Sequence, residues 1–265
     1  METSFKQEFS LRGRTAFVTG SSRGIGRAIA FALARAGASV LFHGSRESDA
    51  LRAAVAEARA MAGDGCGSLG SVASVAADLG DDAALCALPS AIEALGFPSP
   101  DILVLNASHQ TYAKIEDYTL ELFDSHFHTN AGAACRLIQL FAPAMQKRHW
   151  GRILGVGSVN QMRPAARLAI YASTKAALDN LLLGAAKAYA ADGITVNNIV
   201  PGVIHTDRNQ AALGNEEFRA SVISQIPAGR LGKPEDLAGL ALALCSDACS
   251  YVTGASIPVS GGFHL

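Results

Sequence analysis

The feature that most limits what this chain can fold into is an alternation that runs from end to end. Short apolar runs are each followed by a longer stretch of helical period. Thr15–Thr19, Ser39–His43, Ser71–Ala76, Asp101–Leu105, Arg152–Val156, Ile194–Val200 and Ser256–Val259 read as strands. Gly24–Ala36, Glu47–Ala62, Asp82–Leu95, about Leu120–Arg148, Tyr171–Ala191 and Pro234–Ser246 read as helices. Pro143 is expected to bend the longest helix, Gly193 to stop the next, and Gly63–Gly70 to form a loop. Strands that alternate with helices require parallel pairing and right-handed crossovers. The pattern predicts an α/β chain, a single-domain doubly wound parallel sheet of the Rossmann type. It should have about seven strands with helices on both faces. Residues 1–265 are expected to make one catalytic domain, with 1–12 as an N-terminal extension.

Composition agrees with that architecture. Hydrophobic residues form 49% and charged residues 17%, which suits strands buried on both faces. The net charge of −1 offers nothing to nucleic acid or anionic lipid. No apolar run reaches the ~18 residues of a membrane span. Met1–Ser10 lacks a signal-peptide core, so the expected location is the cytoplasm. The five cysteines are odd in number and irregular in spacing, which predicts reduced thiols rather than a disulfide framework or a metal clip. His126 and His128, two apart on a helix, point to different sides and make a poor metal pair. No metal site is expected. Gly157-Ser158-Val159-Asn160 lacks the second glycine of a hydrolase nucleophile turn.

In a doubly wound sheet the ligand lies beyond the carboxyl ends of the strands, so the residues just after each strand carry the argument. The first strand runs into Gly20-Ser21-Ser22-Arg23-Gly24-Ile25-Gly26 and then a helix. Glycines there allow a tight turn and close approach of backbone N–H groups to a pyrophosphate, and the helix N-terminus favours its charge. The candidates are Gly20, Ser22, Arg23, Gly24, Ile25 and Gly26. An NAD-type site wants an acid at the end of the second strand. Here Phe42-His43-Gly44-Ser45-Arg46 has none before Glu47. Arg23 and Arg46 bring positive charge suited to a 2′-phosphate. The expected cofactor is NADP(H), with NAD(H) as the alternative.

Ser158 follows the strand Arg152–Val156, and Tyr171 and Lys175 lie thirteen and seventeen residues further on. Four residues apart on a helix, Tyr171 and Lys175 share a face. A carbonyl that receives hydride needs a proton, and a tyrosine hydroxyl can donate it. Bringing a phenol from ~10 to a working pH takes about 3–4 kcal/mol of differential stabilisation. A neighbouring lysine and an oxidised nicotinamide have the right sign for that. Ser158 can donate to the developing oxyanion.

With these residues in view, the chain resembles the short-chain dehydrogenase/reductase family from Arg14 to Gly262. The matching elements are Thr19-Gly20-x3-Gly24-x-Gly26, Asn106-Ala107, Asn130, Ser158, Tyr171-x3-Lys175 and Pro201-Gly202. The resemblance implies that Asn130, Ser158, Tyr171 and Lys175 are catalytic, Asn130 by holding a water in the relay to Lys175. It implies that Asp78, followed by Leu79, contacts adenine, and that Asn106 and Ala107 line the cofactor, with Asn106 steadying the sheet. It implies that Pro201, Gly202, Ile204 and Thr206 touch the nicotinamide. One departure stands out: Ser108 occupies the position where the family has the glycine of Asn-Ala-Gly. Within the family the local strings look most like 3-oxoacyl-acyl carrier protein reductases of fatty acid biosynthesis. Arg136 and Lys187 fall where those enzymes face their acidic carrier protein. Sugar, polyol and small-ketone dehydrogenases share the same strings, and a non-catalytic dinucleotide sensor is the reading from outside enzymology. Family members pair through the two long helices and again through the last helix and strand, which implies a homotetramer. Substrate choice is expected to lie in Gln161–Leu168 and Asp207–Gln225, with His109 a candidate for the pocket wall and His205 facing outward.

Overall fold

In a computed structural model describing residues 7–61 and 70–265, all seven expected strands join one sheet. They are β1 (Thr15–Val18), β2 (Ser39–Gly44), β3 (Val72–Ala76), β4 (Ile102–Leu105), β5 (Gly151–Val156), β6 (Ile194–Pro201) and β7 (Ser256–Val259). Their order is β3-β2-β1-β4-β5-β6-β7, and every pairing is parallel. The central strands are buried on both faces, which is why they read as unbroken apolar runs. The loop expected at Gly63–Gly70 falls, save for Gly70, outside the described residues.

Two apolar layers enclose the sheet. One face carries α1 (Gly24–Arg35), α2 (Asp49–Ala60) and, from the far end of the chain, the helix Glu235–Leu244; Ile29, Leu51 and Leu237 are fully buried there. The other face carries α3 (Asp82–Ala94), the helix Ala133–Arg148 and the helix Ala169–Tyr189, which bury Leu85, Phe141 and Leu178. Local capping sets where several helices begin. Ser48 accepts from Leu51 N–H, Asp81 from Ala83 and Ala84 N–H, and Thr119 from Leu122 N–H. Leu11, inside the expected extension, is buried and donates its N–H to Ala36 O at 2.8 Å, so this segment is tied to the body. Among the described residues no helix is long and apolar enough to cross a membrane.

The long helix expected over Leu120–Arg148 is interrupted. It comprises α4 (Leu120–Phe127), a wide turn over His128–Gly132, and α5 (Ala133–Arg148). Ala133 N–H reaches back five residues to His128 O, the hydrogen bond of a π turn. Nothing in apolar periodicity marks a single inserted residue, and the insertion falls on Asn130. The following helix, α6 (Ala169–Tyr189), begins two residues before Tyr171 and ends in a short turn at Gly193. Two helices occupy the segment left open by the sequence, α7 (Asp207–Leu213) and α8 (Glu216–Ser224), and α9 (Glu235–Leu244) follows.

Candidate active site

The strand order reverses between β1 and β4, and a cleft of about 810 Å³ opens at the carboxyl ends of the central strands. The turn after β1 forms its floor. Gly20 sits at φ +63° and Gly26 in ordinary helical backbone. A Cβ on Gly26 would lie 2.4 Å from Asn106 Nδ2 and 2.5 Å from Gly20 O, so only glycine lets helix α1 approach the turn this closely. Asn106 Nδ2 donates to Thr19 O at 2.8 Å and Gly20 O at 3.0 Å. Thr19 Oγ1 donates to Val104 O and accepts the N–H groups of Asn106 and Ala107. The turns after β1 and β4 are thereby fastened into one unit. Asn106 thus ties the turn after β4 to the end of β1.

The N-terminus of α1 points into the cleft with no side-chain cap and no acid in its first turn, leaving its N–H groups free for an anion. Arg23, Asp78 and Leu79 line the same space, as do Pro201, Gly202, Ile204 and Thr206. Arg46 does not; it is exposed beyond the rim. Glu47, the first acid after β2, is also exposed and lies 3.8 Å from Arg52. These residues fit an NADP(H)-type dinucleotide: open helix amides for a pyrophosphate, Arg23 for a 2′-phosphate, and no carboxylate among the residues that line the cleft from the end of β2.

One residue that holds this half of the site escaped the sequence reading. His43, at the end of β2 and almost fully buried, accepts Gly20 N–H at Nδ1 (3.0 Å) and places Nε2 3.0 Å from Ala77 O. That pair of partners selects the neutral tautomer with the proton on Nε2. Burial pushes its pKa down to about 4. In the sequence it is a polar residue ending an apolar strand, which signals nothing about a bond 23 residues back.

The chemical residues come from β5 and α6. Ser158 lies just past β5, where Gln161 Oε1 accepts its N–H and its Oγ accepts from Asn160 N–H at 3.2 Å. Tyr171 and Lys175 face it from α6, both buried. Lys175 Nζ donates to Val156 O at 2.7 Å and lies 5.9 Å from the Tyr171 ring centre. Burial, with a smaller push from the Arg208 charge, brings the lysine down to about 7. Burial pushes the Tyr171 phenol up, while the Arg208 charge and the Ser158 hydroxyl pull it back. The sequence assigns this tuning to Lys175 and the oxidised nicotinamide; within the chain itself the cation working against burial is Arg208, which was missed because it belongs to α7, far along the chain.

Asn130 sits beneath rather than in the cleft. Its Nδ2 donates to His109 O and Thr174 Oγ1, both at 2.9 Å, and its Oδ1 accepts His109 N–H at 2.6 Å. It thus locks the loop after β4 to the residue preceding Lys175. His109 lines the cleft and packs at a tilt against buried His126 with ring centres 4.5 Å apart. His205 is exposed, as expected. Arg163 lines the cleft and donates to Phe263 O at 2.8 Å. The unusual Ser108 is matched by an unusual partner. Arg208 Nη1 donates to its Oγ at 2.9 Å and Nη2 to its carbonyl at 2.8 Å. Among the described residues no group of His, Cys, Asp and Glu is arranged to hold a metal.

A parallel sheet with a glycine turn and an open helix end at its switch point, and a Ser–Tyr–Lys group in the same cleft, defines a dinucleotide-dependent oxidoreductase. Comparison with known proteins gives the family. The family model described as enoyl-(acyl carrier protein) reductase matches residues 20–264. An L-rhamnose 1-dehydrogenase (NAD(P)(+)) of Azotobacter vinelandii is 39% identical over 95% of this chain and 97% of its own. A 3-oxoacyl-[acyl-carrier-protein] reductase of Pseudomonas aeruginosa is 36% identical over 97% and 99%. The crystal structure of a 3-oxoacyl (acyl-carrier-protein) reductase from Agrobacterium tumefaciens C58, with NADP bound, superposes with a TM-score of 0.89 at 39% identity, covering 97% of this chain and 96% of that one. The chain belongs to the short-chain dehydrogenase/reductase family of oxidoreductases.

Proposed function

We propose that this protein is an NADP(H)-dependent oxidoreductase that interconverts a carbonyl and a secondary alcohol, with residues 1–265 acting as one catalytic domain. The observation that carries the proposal is the placement of Tyr171 and Lys175 on one buried face of α6, opposite Ser158 and in the same cleft as the Gly20–Gly26 turn. When bound, the nicotinamide supplies or takes up the hydride. Ser158 Oγ donates a hydrogen bond to the substrate oxygen, and Tyr171 gives it a proton in reduction or removes one in oxidation. Lys175, anchored on Val156 O with a labile proton near neutrality, restores the tyrosine's proton between turnovers. Asn130 is assigned to this relay as the residue that fixes the backbone around it; both of its amide hydrogens are already donated, so a relay water would have to donate to an oxygen of this residue. Gly20, Ser22, Gly24, Ile25 and Gly26 take the pyrophosphate; Asp78 and Leu79 take the adenine; Asn106, Ala107 and the Pro201–Thr206 loop take the nicotinamide half. Arg23, with Arg46 contributing positive charge from outside the rim, favours NADP(H) over NAD(H); a relative binding NADP supports that choice.

For the substrate, a compact polar carbonyl or hydroxyl compound is favoured. Beyond Tyr171 the wall carries His109, Gln110, Asn160, Arg163 and Arg208. A 3-oxoacyl chain on an acyl carrier protein is the second reading, favoured by Arg136, half-buried on α5 with side-chain hydrogen bonds to Gln139 and Cys86 and none to a carboxylate. Lys187 stands on the neighbouring α6. We place the enzyme in the cytoplasm as a homotetramer. Exposed Leu120, Phe123 and Leu183 lie on the long helices, and Tyr251, wholly exposed, stands just before β7. The test is absorbance at 340 nm with NADPH and NADH against acetoacetyl thioesters, sugars, polyols, small ketones and their oxidised or reduced partners. Turnover of a small polar compound with NADPH supports the first reading. Preference for acetoacetyl thioesters supports the second. Tight cofactor binding with no turnover of any carbonyl or alcohol overturns both in favour of a sensor.

A further inference from the structure

We infer that the substrate carries a carboxylate, and that Arg208, steadied on Ser108, is the group that receives it. The inference rests on the carbonyl–alcohol reading above and narrows it. Arg208 projects from α7 across the mouth of the cleft to the loop after β4. A guanidinium has five N–H donors. Ser108 takes two of them, one on each terminal nitrogen, and no other described residue accepts from Arg208. Both acceptors on Ser108 are neutral, so they leave the positive charge of this exposed guanidinium uncompensated at the cleft mouth. Some arginines elsewhere do carry a carboxylate partner, as Arg148 with Asp101, Arg152 with Asp247 and Arg230 with Asp236 do, whereas Arg208 has none. Asp207 lines the same cleft yet forms no ion pair with Arg208.

The charge is also close to the chemistry. It is felt at Tyr171, Lys175 and His109, which surround the place where a carbonyl must lie between Ser158 and Tyr171. Arg163, the other arginine on this wall, likewise has only neutral partners, Phe263 O and Gln225 Oε1. An anion bound to Arg208 would therefore share this cleft with the reacting carbon. The donors that Ser108 leaves free form a planar fork, which matches a carboxylate bidentately. The two-point attachment to Ser108 fixes the plane of that fork. A glycine at position 108 would remove the Oγ acceptor, which gives the serine a purpose at the one position where the chain departs from its family. The phosphate of a sugar ester is the other source of such an anion, and the test separates the two.

The test uses the full chain loaded with NADPH, a complex in which an alcohol probe binds but cannot react. Glycolate, tartrate and gluconate, their neutral amides, and inorganic phosphate are titrated while NADPH fluorescence and the melting temperature are followed. At least one carboxylate should bind roughly tenfold or more tighter than its amide, as a charge-assisted pair implies. Arg208→Gln should erase that preference while NADPH affinity stays within about twofold, and Arg208→Lys should retain part of it. The inference fails if no carboxylate outbinds its amide, if Arg208→Gln leaves the preference intact, or if phosphate alone shows Arg208-dependent binding. The catalytic reading is scored separately by turnover. An Arg208-dependent carboxylate site in an enzyme that turns over nothing would sink the catalysis and leave the site. Turnover of neutral compounds alone, indifferent to Arg208→Gln, would do the reverse.

Discussion

In the proposed mechanism Tyr171 carries the proton and Lys175 stands behind it, so each substitution should leave a distinct trace. Tyr171→Phe removes one hydroxyl from a buried aromatic without changing its shape. Turnover should fall by about 10²–10⁴-fold, the usual worth of a positioned acid–base group, while NADPH titration stays within about twofold. Retained turnover would remove Tyr171 from the role. Lys175 affects stability as well as rate. Its folded pKa, about 7, lies below the ordinary lysine value of 10.5, so between those limits the unfolded chain binds a proton that the folded chain does not. Stability of the cofactor-free protein should therefore rise with pH across that window and level off below about 7. In Lys175→Met this rise should disappear. An unchanged melting profile in that variant would mean that the buried lysine is not neutral near pH 7.

Elements matter here through the contacts between their ends. The turn after β1 is held from three directions, by Asn106 from β4, by His43 from β2 and by helix α1 packed on Gly26. Gly26→Ala drives a methyl into Asn106 Nδ2 and Gly20 O, backbone and anchored amide that cannot swing away. NADPH affinity should drop by more than tenfold, with a loss of melting temperature, since overpacking costs about 1–3 kcal/mol. A variant that binds NADPH normally would show that the turn is softer than this packing implies. His43 gives the same unit an acid limit. Its folded pKa near 4 lies below the ordinary 6.5, so its contribution is present above about 6.5 and lost as pH falls toward 4. The loss should reach on the order of 3 kcal/mol. Equilibrium unfolding at pH 7 and pH 4.5 measures it, and His43→Asn should flatten the difference.

At the scale of the molecule, the apolar residues left uncovered on α4 and α6 and before β7 lie where two kinds of contact between copies would hide them. Light scattering should give four times the chain mass of 27.4 kDa. A clean monomer would leave Leu120, Leu183 and Tyr251 without a purpose. Changing Tyr251 to Glu should leave a dimer if the contact near β7 is the second interface.

The fold was legible because a parallel sheet must be buried on both sides and joined by helices, and that requirement writes itself along the chain as apolar runs separated by helical periods. The glycine turn, Ser158, Tyr171 and Lys175 were legible for a related reason: each sits at a fixed distance from a strand end or a helix turn, so spacing carries its geometry. The π turn at His128–Gly132 was not, because one residue inserted into a helix leaves the apolar pattern almost unchanged. His43 and Arg208 were not, because their partners lie 23 and 100 residues away and no local rule relates them. The sequence by itself determined the sheet, the place of the cleft and the grouping of Ser158, Tyr171 and Lys175, all consequences of local period and short spacing. Only the tertiary structure decided which charge faces Tyr171, which loops are bolted together and what shape is left for the substrate, because those follow from contacts between segments that the chain brings together only when it is folded.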